Sequence, residues 1–99
     1  MTFETGKVYT FKLNSGEEML AKVTANGDKW ISIEDPVSVA PGPQGVGLVP
    51  STFTADPGEK IQLNIENVAF YAPTEDNVRM KYLEATTGIK VPEKKLILG

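Results

Sequence analysis

Residues 7–13 read K-V-Y-T-F-K-L, placing Tyr9, Phe11 and Leu13 on one face and Val8, Thr10 and Lys12 on the other. That period of two is the pattern of a half-buried strand. Asn14-Ser15-Gly16 supplies turn chemistry. Residues 18–25 then resume the alternation, with Met19, Ala21 and Val23 opposite Leu20, Lys22 and Thr24, so the two segments are predicted to form a hairpin. Asn26-Gly27 is the strongest short turn signal in the chain, because both central residues of a type I′ turn need positive φ. A third strand is predicted from Lys29, with Ile31 and Ile33 inward and Trp30, Ser32 and Glu34 outward. Pro36 withdraws a backbone donor and forces an edge, a bend or a bulge, beyond which residues 37–40 continue the strand.

Residues 41–45, P-G-P-Q-G, read as a loop. Val46, Leu48, Val49 and Phe53 form a fourth apolar stretch, punctured by Gly47 and Pro50, which predicts an irregular or edge strand. After an Asp56-Pro57-Gly58 turn, residues 60–66 alternate with Ile61, Leu63 and Ile65 inward and Gln62, Asn64 and Glu66 outward. Asn67 breaks the phase while residues 68–71 carry on as strand, so a bulge or short kink at Glu66-Asn67 would rotate the face and help a small sheet curve shut. At Pro73-Thr74 the period changes. Thr74 as N-cap, acidic residues in the first turn, Val78, Tyr82 and Ala85 on one face with Leu83 beside them, and Gly88 as a C-terminal stop predict a helix over about 74–87. The tail, 89–99, carries Leu96-Ile97-Leu98 and is expected either to dock on its own domain or to pair with a neighbour's strand edge.

Ninety-nine residues make one domain, with the sheet over about 7–72. Neither Cys nor His is present. That removes disulfides, thiolate and imidazole metal sites, Ser-His and Cys-His nucleophile pairs, and histidine proton relays. No cofactor or metal is expected. No apolar run approaches the roughly 18 residues that span a bilayer, and the first seven residues lack the basic and apolar regions of a signal peptide. The expectation is a cytoplasmic protein with no membrane partner. Net charge is −3, but residues 1–76 hold five basic and eleven acidic side chains whereas residues 77–99 hold five basic and two acidic. The basic end either meets an acidic partner or suits the dipole of its own helix.

The carboxylate pairs Glu17-Glu18, Glu34-Asp35 and Glu75-Asp76 are adjacent in sequence, and adjacent residues on a strand point to opposite faces, so they read as solvated surface charge. Gly42, Gly45 and Gly47 match no phosphate-binding loop, and Ser15, Ser32, Ser38 and Ser51 have no histidine to serve as base. The chain reads as non-enzymatic, with no catalytic residue. Lys29-Trp30 is the one constellation with binding chemistry, an aromatic ring on the outward phase beside a cation, which suits base stacking by single-stranded nucleic acid. The competing reading is packing at a core margin or subunit interface. Tyr9, Phe11, Phe53, Phe70, Tyr71 and Tyr82 read as core or subunit contacts.

Residues 8–18, V-Y-T-F-K-L-N-S-G-E-E, resemble the first strand and glycine turn of the Sm-like (LSm, Hfq-related) family. Residues 28–33, D-K-W-I-S-I, fall where that family's third-strand element lies, and residues 65–71, I-E-N-V-A-F-Y, resemble the end of its second motif. More narrowly, the run from Gly45 through the helix to Ile89 resembles the compact Sm-like proteins of marine tailed phages. The resemblance implies a mainly β fold, a small, strongly bent, five-stranded Sm-like (SH3-type) barrel, here with a C-terminal α-helix where the family usually has an N-terminal one. It also implies a homo-oligomeric ring of six or seven subunits, closed by pairing the fourth strand of one with the fifth of the next, in the cytoplasm of a host cell if phage-encoded. Single-stranded RNA would bind at a pore or rim, with Lys29 and Trp30 for charge and stacking and Ser32 and Asn67 for hydrogen bonds. Ser32 stands where the family has a uracil-contacting Asn, and Glu66-Asn67 stands in the region of its Arg-Gly pair. The alternative is an oligomeric scaffold or phage adaptor that binds protein and has lost RNA binding. A monomeric SH3-like or OB-like barrel is a third reading.

Overall fold

The structure, a computed structural model, describes residues 2–56 and 58–89. The predicted tail lies outside the described residues, apart from its first residue. Six strands and one helix follow one another as β1 (Val8–Leu13), β2 (Glu18–Ala25), β3 (Trp30–Gly42), β4 (Gly45–Pro50), β5 (Ile61–Asn64), a 3-10 turn (Ile65–Asn67), β6 (Val68–Pro73) and α1 (Asp76–Ile89). The strands form one antiparallel sheet in the order β4-β3-β2-β1-β6, with β5 also paired to β3, and strand pairing does not close it. The chain is thus mainly β with six strands rather than five, because the predicted kink at Glu66-Asn67 is a full 3-10 turn that divides one long strand into two. That turn carries the chain from one end of the sheet to the other. The Ile65 amide donates to the carbonyl of Lys29 ahead of β3, and the Asn14 amide donates to the carbonyl of Asn67, each at 2.8 Å.

The sheet has an apolar layer on each face. Tyr9, Phe11, Met19, Ala21, Val23, Ile31 and Ile33 pack together with Phe3, and Leu13, Ile61, Leu63, Ile65 and Val68 flank them. On the opposite face Val8, Leu20 and Val37 pack under Tyr82 of α1, with Val39, Leu48 and Val78 alongside. Alternation accounts for β1 and β2, whose odd and even positions go to opposite layers. On β3 the parity changes: Ile31 and Ile33 face one core, Val37 and Val39 the other. The cause is a bulge, since Lys22 pairs with Glu34 but Leu20 pairs with Val37, leaving one extra residue on β3. Asp35 absorbs it at φ 50, and Pro36 follows.

Three local expectations are corrected. Asn26-Gly27 is not a two-residue type I′ turn, since β2 ends at Ala25, β3 starts at Trp30, and neither residue has positive φ. The Asn26 side chain is engaged elsewhere, accepting from the Phe3 amide at 2.8 Å and donating to the Phe3 carbonyl at 2.9 Å. Gly27 is needed for space, because a Cβ there would overlap the carbonyl of Trp30. Residues 41–45 are not a loop. Pro41 and Gly42 belong to β3 and Gly45 opens β4 at φ 113, so only Pro43 and Gln44 turn the chain. The cap of α1 is Glu75, whose carboxylate accepts from the Val78 amide at 3.0 Å, while Thr74 is buried with its hydroxyl 3.0 Å from that of Thr10. The helix also continues past Gly88 to Ile89.

Candidate functional site

β3 and β5 build the patch around Trp30. Their register pairs Trp30 with Asn64 and Ser32 with Gln62, and paired residues share a face. Ile31 and Ile33 lie in the core, so Trp30, Ser32, Gln62 and Asn64 project outward together. Trp30 is 51% exposed, enough to leave a ring surface open to a ligand. Gln62 Nε2 donates to Ser32 Oγ at 2.8 Å, and Thr24 Oγ1 donates to the Ser32 carbonyl at 3.3 Å. Ser32 is thereby held in place, with its hydroxyl proton still available to donate. Asn64 Oδ1 accepts from the Glu66 amide at 3.0 Å and caps the 3-10 turn.

Of the four residues singled out from sequence, Lys29, Trp30 and Ser32 come together. Asn67 stands at the other end of the 3-10 turn, toward β1, where its backbone carbonyl is engaged by Asn14. Gln62 and Asn64 were missed as site residues. Their outward phase was legible, but the pairing of β5 with β3 has no local signal. Lys29 is the lone cation among these residues, and Asp28 and Glu66 border it in sequence. The patch offers one aromatic face, carboxamides and a hydroxyl, with little positive potential. The carboxylate pairs form no candidate metal cluster among the described residues. Ser38 and Ser51 approach within 2.9 Å, and Ser38 Oγ also bonds the Glu17 carboxylate, which ties the start of β2 to the end of β4. A shallow polar depression is lined by Thr2, Asn26, Gly27 and Asp28. No described helix is long and apolar enough to cross a membrane.

The second candidate surface consists of the two ends of the sheet. The Ser51 amide donates to the Pro36 carbonyl at 3.0 Å, so along β4 the amides of Val49 and Gly47 also point to β3 and those of Val46 and Leu48 point away. Pro50 falls on the outward phase, where its missing N–H costs the ladder nothing. On β6 the Thr74 amide donates to Val8, which places Ala72 and Phe70 toward β1 and Tyr71 and Pro73 outward. Both free edges therefore offer unpaired backbone groups and finish at an outward proline. Both also carry exposed apolar side chains, Val46 (55%) and Val49 on β4, and Phe70 (64%) and Tyr71 on β6, with Phe53 just past β4. Tyr9, Phe11 and Tyr82 are core residues, as expected, whereas Phe53 and Phe70 are surface residues. The chain matches no protein-family model, and no curated protein is significantly similar to it.

Proposed function

We propose that this chain is a non-enzymatic, self-assembling β-module of the Sm-like kind, acting in the cytoplasm, in which the β4 edge of one copy pairs with the β6 edge of the next. The observation that carries the reading is the pair of free edges at opposite ends of one sheet, each lined with exposed apolar side chains. Unpaired edges of this kind are templates for another chain, and a head-to-tail contact closes into a ring when its rotation permits. The Sm-like resemblance sets the expected size at six or seven copies. The assembly serves as a scaffold for a protein partner, a role that its acidic body suits better than a broad grip on phosphate.

A second reading, single-stranded RNA at the Trp30 patch, is favoured by the exposed ring beside Lys29. Stacking there would contribute about 1–3 kcal/mol per base. Light scattering with and without short oligo-U and oligo-A RNA separates the two. A ring that ignores RNA at low salt supports the scaffold, a ring that binds RNA in a salt-dependent manner supports the second reading, and a monomer at all concentrations refutes both. Val46→Pro sharpens the test. The Val46 amide points away from β3, so the substitution should block edge pairing and lower the mass while the monomer keeps its melting temperature within a few degrees.

A further inference from the structure

The β4 edge has a candidate occupant nearer than a second copy. Helix α1 starts against β1, where the Thr74 amide bonds Val8, and reaches β3 at Tyr82, whose hydroxyl bonds the Glu34 carbonyl. Val8, Lys22 and Glu34 are successive partners across β1, β2 and β3. The helix therefore crosses the strands nearly at right angles, heading from β1 toward β4. Pro36, two residues past Glu34, accepts from Ser51 at the end of β4. From Tyr82 to Ile89 the helix advances about 10 Å more, and strands lie about 4.8 Å apart, so its C-terminal end is delivered just beyond the outer edge of β4, at the Pro50 end.

We propose that residues 90–99 add to that edge in cis, running antiparallel to β4 from the Pro50 end toward Gly45. An extended chain spans at most about 3.3–3.6 Å per residue, so residues 90–93 suffice as a connector and 94–98, K-K-L-I-L, lie along β4. The outward amides of Val46 and Leu48 and the outward carbonyls of Val46, Leu48 and Pro50 take the ladder bonds. Leu96 and Leu98 share one face and Ile97 takes the other, matching a strand edge that has apolar side chains on both faces, Val46 and Leu48 on one and Val49 on the other. Pro92 falls in the connector, before the ladder begins. Charge works in the same direction: residues 1–89 hold seven basic and twelve acidic side chains, residues 90–99 three basic and one acidic. The tail then competes with the neighbour's β6 for the same edge and sets the concentration at which copies assemble. That consequence rests on the assembly reading, but the contact itself does not.

The test is amide hydrogen exchange by NMR on dilute protein shown to be monomeric by light scattering. It compares the full chain, the full chain with Leu96→Asp and Leu98→Asp, and the chain lacking 90–99. Exchange at Val46 and Leu48 should quicken at least tenfold in both altered forms, while Gly47 and Val49, bonded to β3, stay unchanged. The concentration at which oligomers appear should fall at least tenfold. Equal exchange at Val46 and Leu48 in all three forms overturns the proposal. So does protection there that rises with protein concentration and ignores the tail, which assigns the edge to a second copy. An oligomer of the full chain that persists at the lowest measurable concentration overturns it too. Tail-dependent protection in a protein that never assembles supports the contact and removes the assembly reading alone.

Discussion

Tyr82→Phe tests the joint on which the bent sheet and its helix depend. The Tyr82 hydroxyl donates to the carbonyls of Glu34 at 3.1 Å and Asp35 at 2.9 Å, and the side chain is 1% exposed. These two carbonyls flank the bulge, where the ladder with β2 is interrupted and backbone partners are scarce. Removing the oxygen keeps the ring in the layer formed by Val8, Leu20 and Val37 and withdraws one donor from two acceptors. A buried group left unsatisfied costs about 1–3 kcal/mol. In a domain of about 60–100 residues each kcal/mol lowers the melting temperature by about 4–8 °C. Urea denaturation should therefore show Tyr82→Phe about 1–3 kcal/mol less stable at an unchanged m-value, with amide shift changes concentrated at residues 34–37 and 51. Tyr82→Ala also loses the ring, at about 3–5 kcal/mol, a large share of the roughly 5–15 kcal/mol that a domain possesses. If Tyr82→Phe stays within about 0.5 kcal/mol of the native chain, the hydroxyl does not sustain the bulge and the joint is apolar packing alone.

The same phenol sets an alkaline limit. Burial, then the Asp35 and Glu34 carboxylates, push its pKa well above the ordinary tyrosine range. The neutral form thus favours folding, and that stability is complete below about pH 10, the unfolded value. Above it, stability should fall by up to about 1.4 kcal/mol per pH unit, a component that thermal melts of Tyr82→Phe will lack. Asn26→Ala releases both backbone groups of Phe3, whose ring lies 4.9 Å from Tyr9 and 4.6 Å from Tyr71, and should cost about 1–3 kcal/mol. Gly27→Ala drives a methyl into the Trp30 carbonyl and should cost about 1–3 kcal/mol in the same denaturation assay. Trp30→Ala should change stability by less than about 1 kcal/mol, and a loss above about 2 kcal/mol would make the ring a packing element and not a platform.

What could be read locally was read correctly. The alternation in β1 and β2 assigns Tyr9, Phe11, Met19 and Val23 to one layer and Val8 and Leu20 to the other because a strand's side-chain period is two whatever its partners. The outward phase of Trp30, the break near Asn67 and the edge position of the segment holding Pro50 follow from equally local rules. Two strong local signals were overridden. Asn26 found the Phe3 backbone instead of forming a turn, and Thr74 was drawn into a buried pair with Thr10, leaving Glu75 to cap the helix. Each alternative depends on a segment distant in sequence, and so could not be weighed from the local pattern. The change of parity at Asp35-Pro36 is of the same kind. Pro36 announces a disturbance, but only pairing with β2 and the helix lying over it decide that one residue is extra and that Val37 faces Tyr82. The Trp30 patch likewise takes half its members from β5, some thirty residues on. Sequence by itself determined a β-rich chain without thiol or imidazole chemistry and the faces of its individual strands. Tertiary structure decided which strands meet, which edges stay unpaired and which residues stand beside Trp30, because pairing is a contest among distant segments that no local period records.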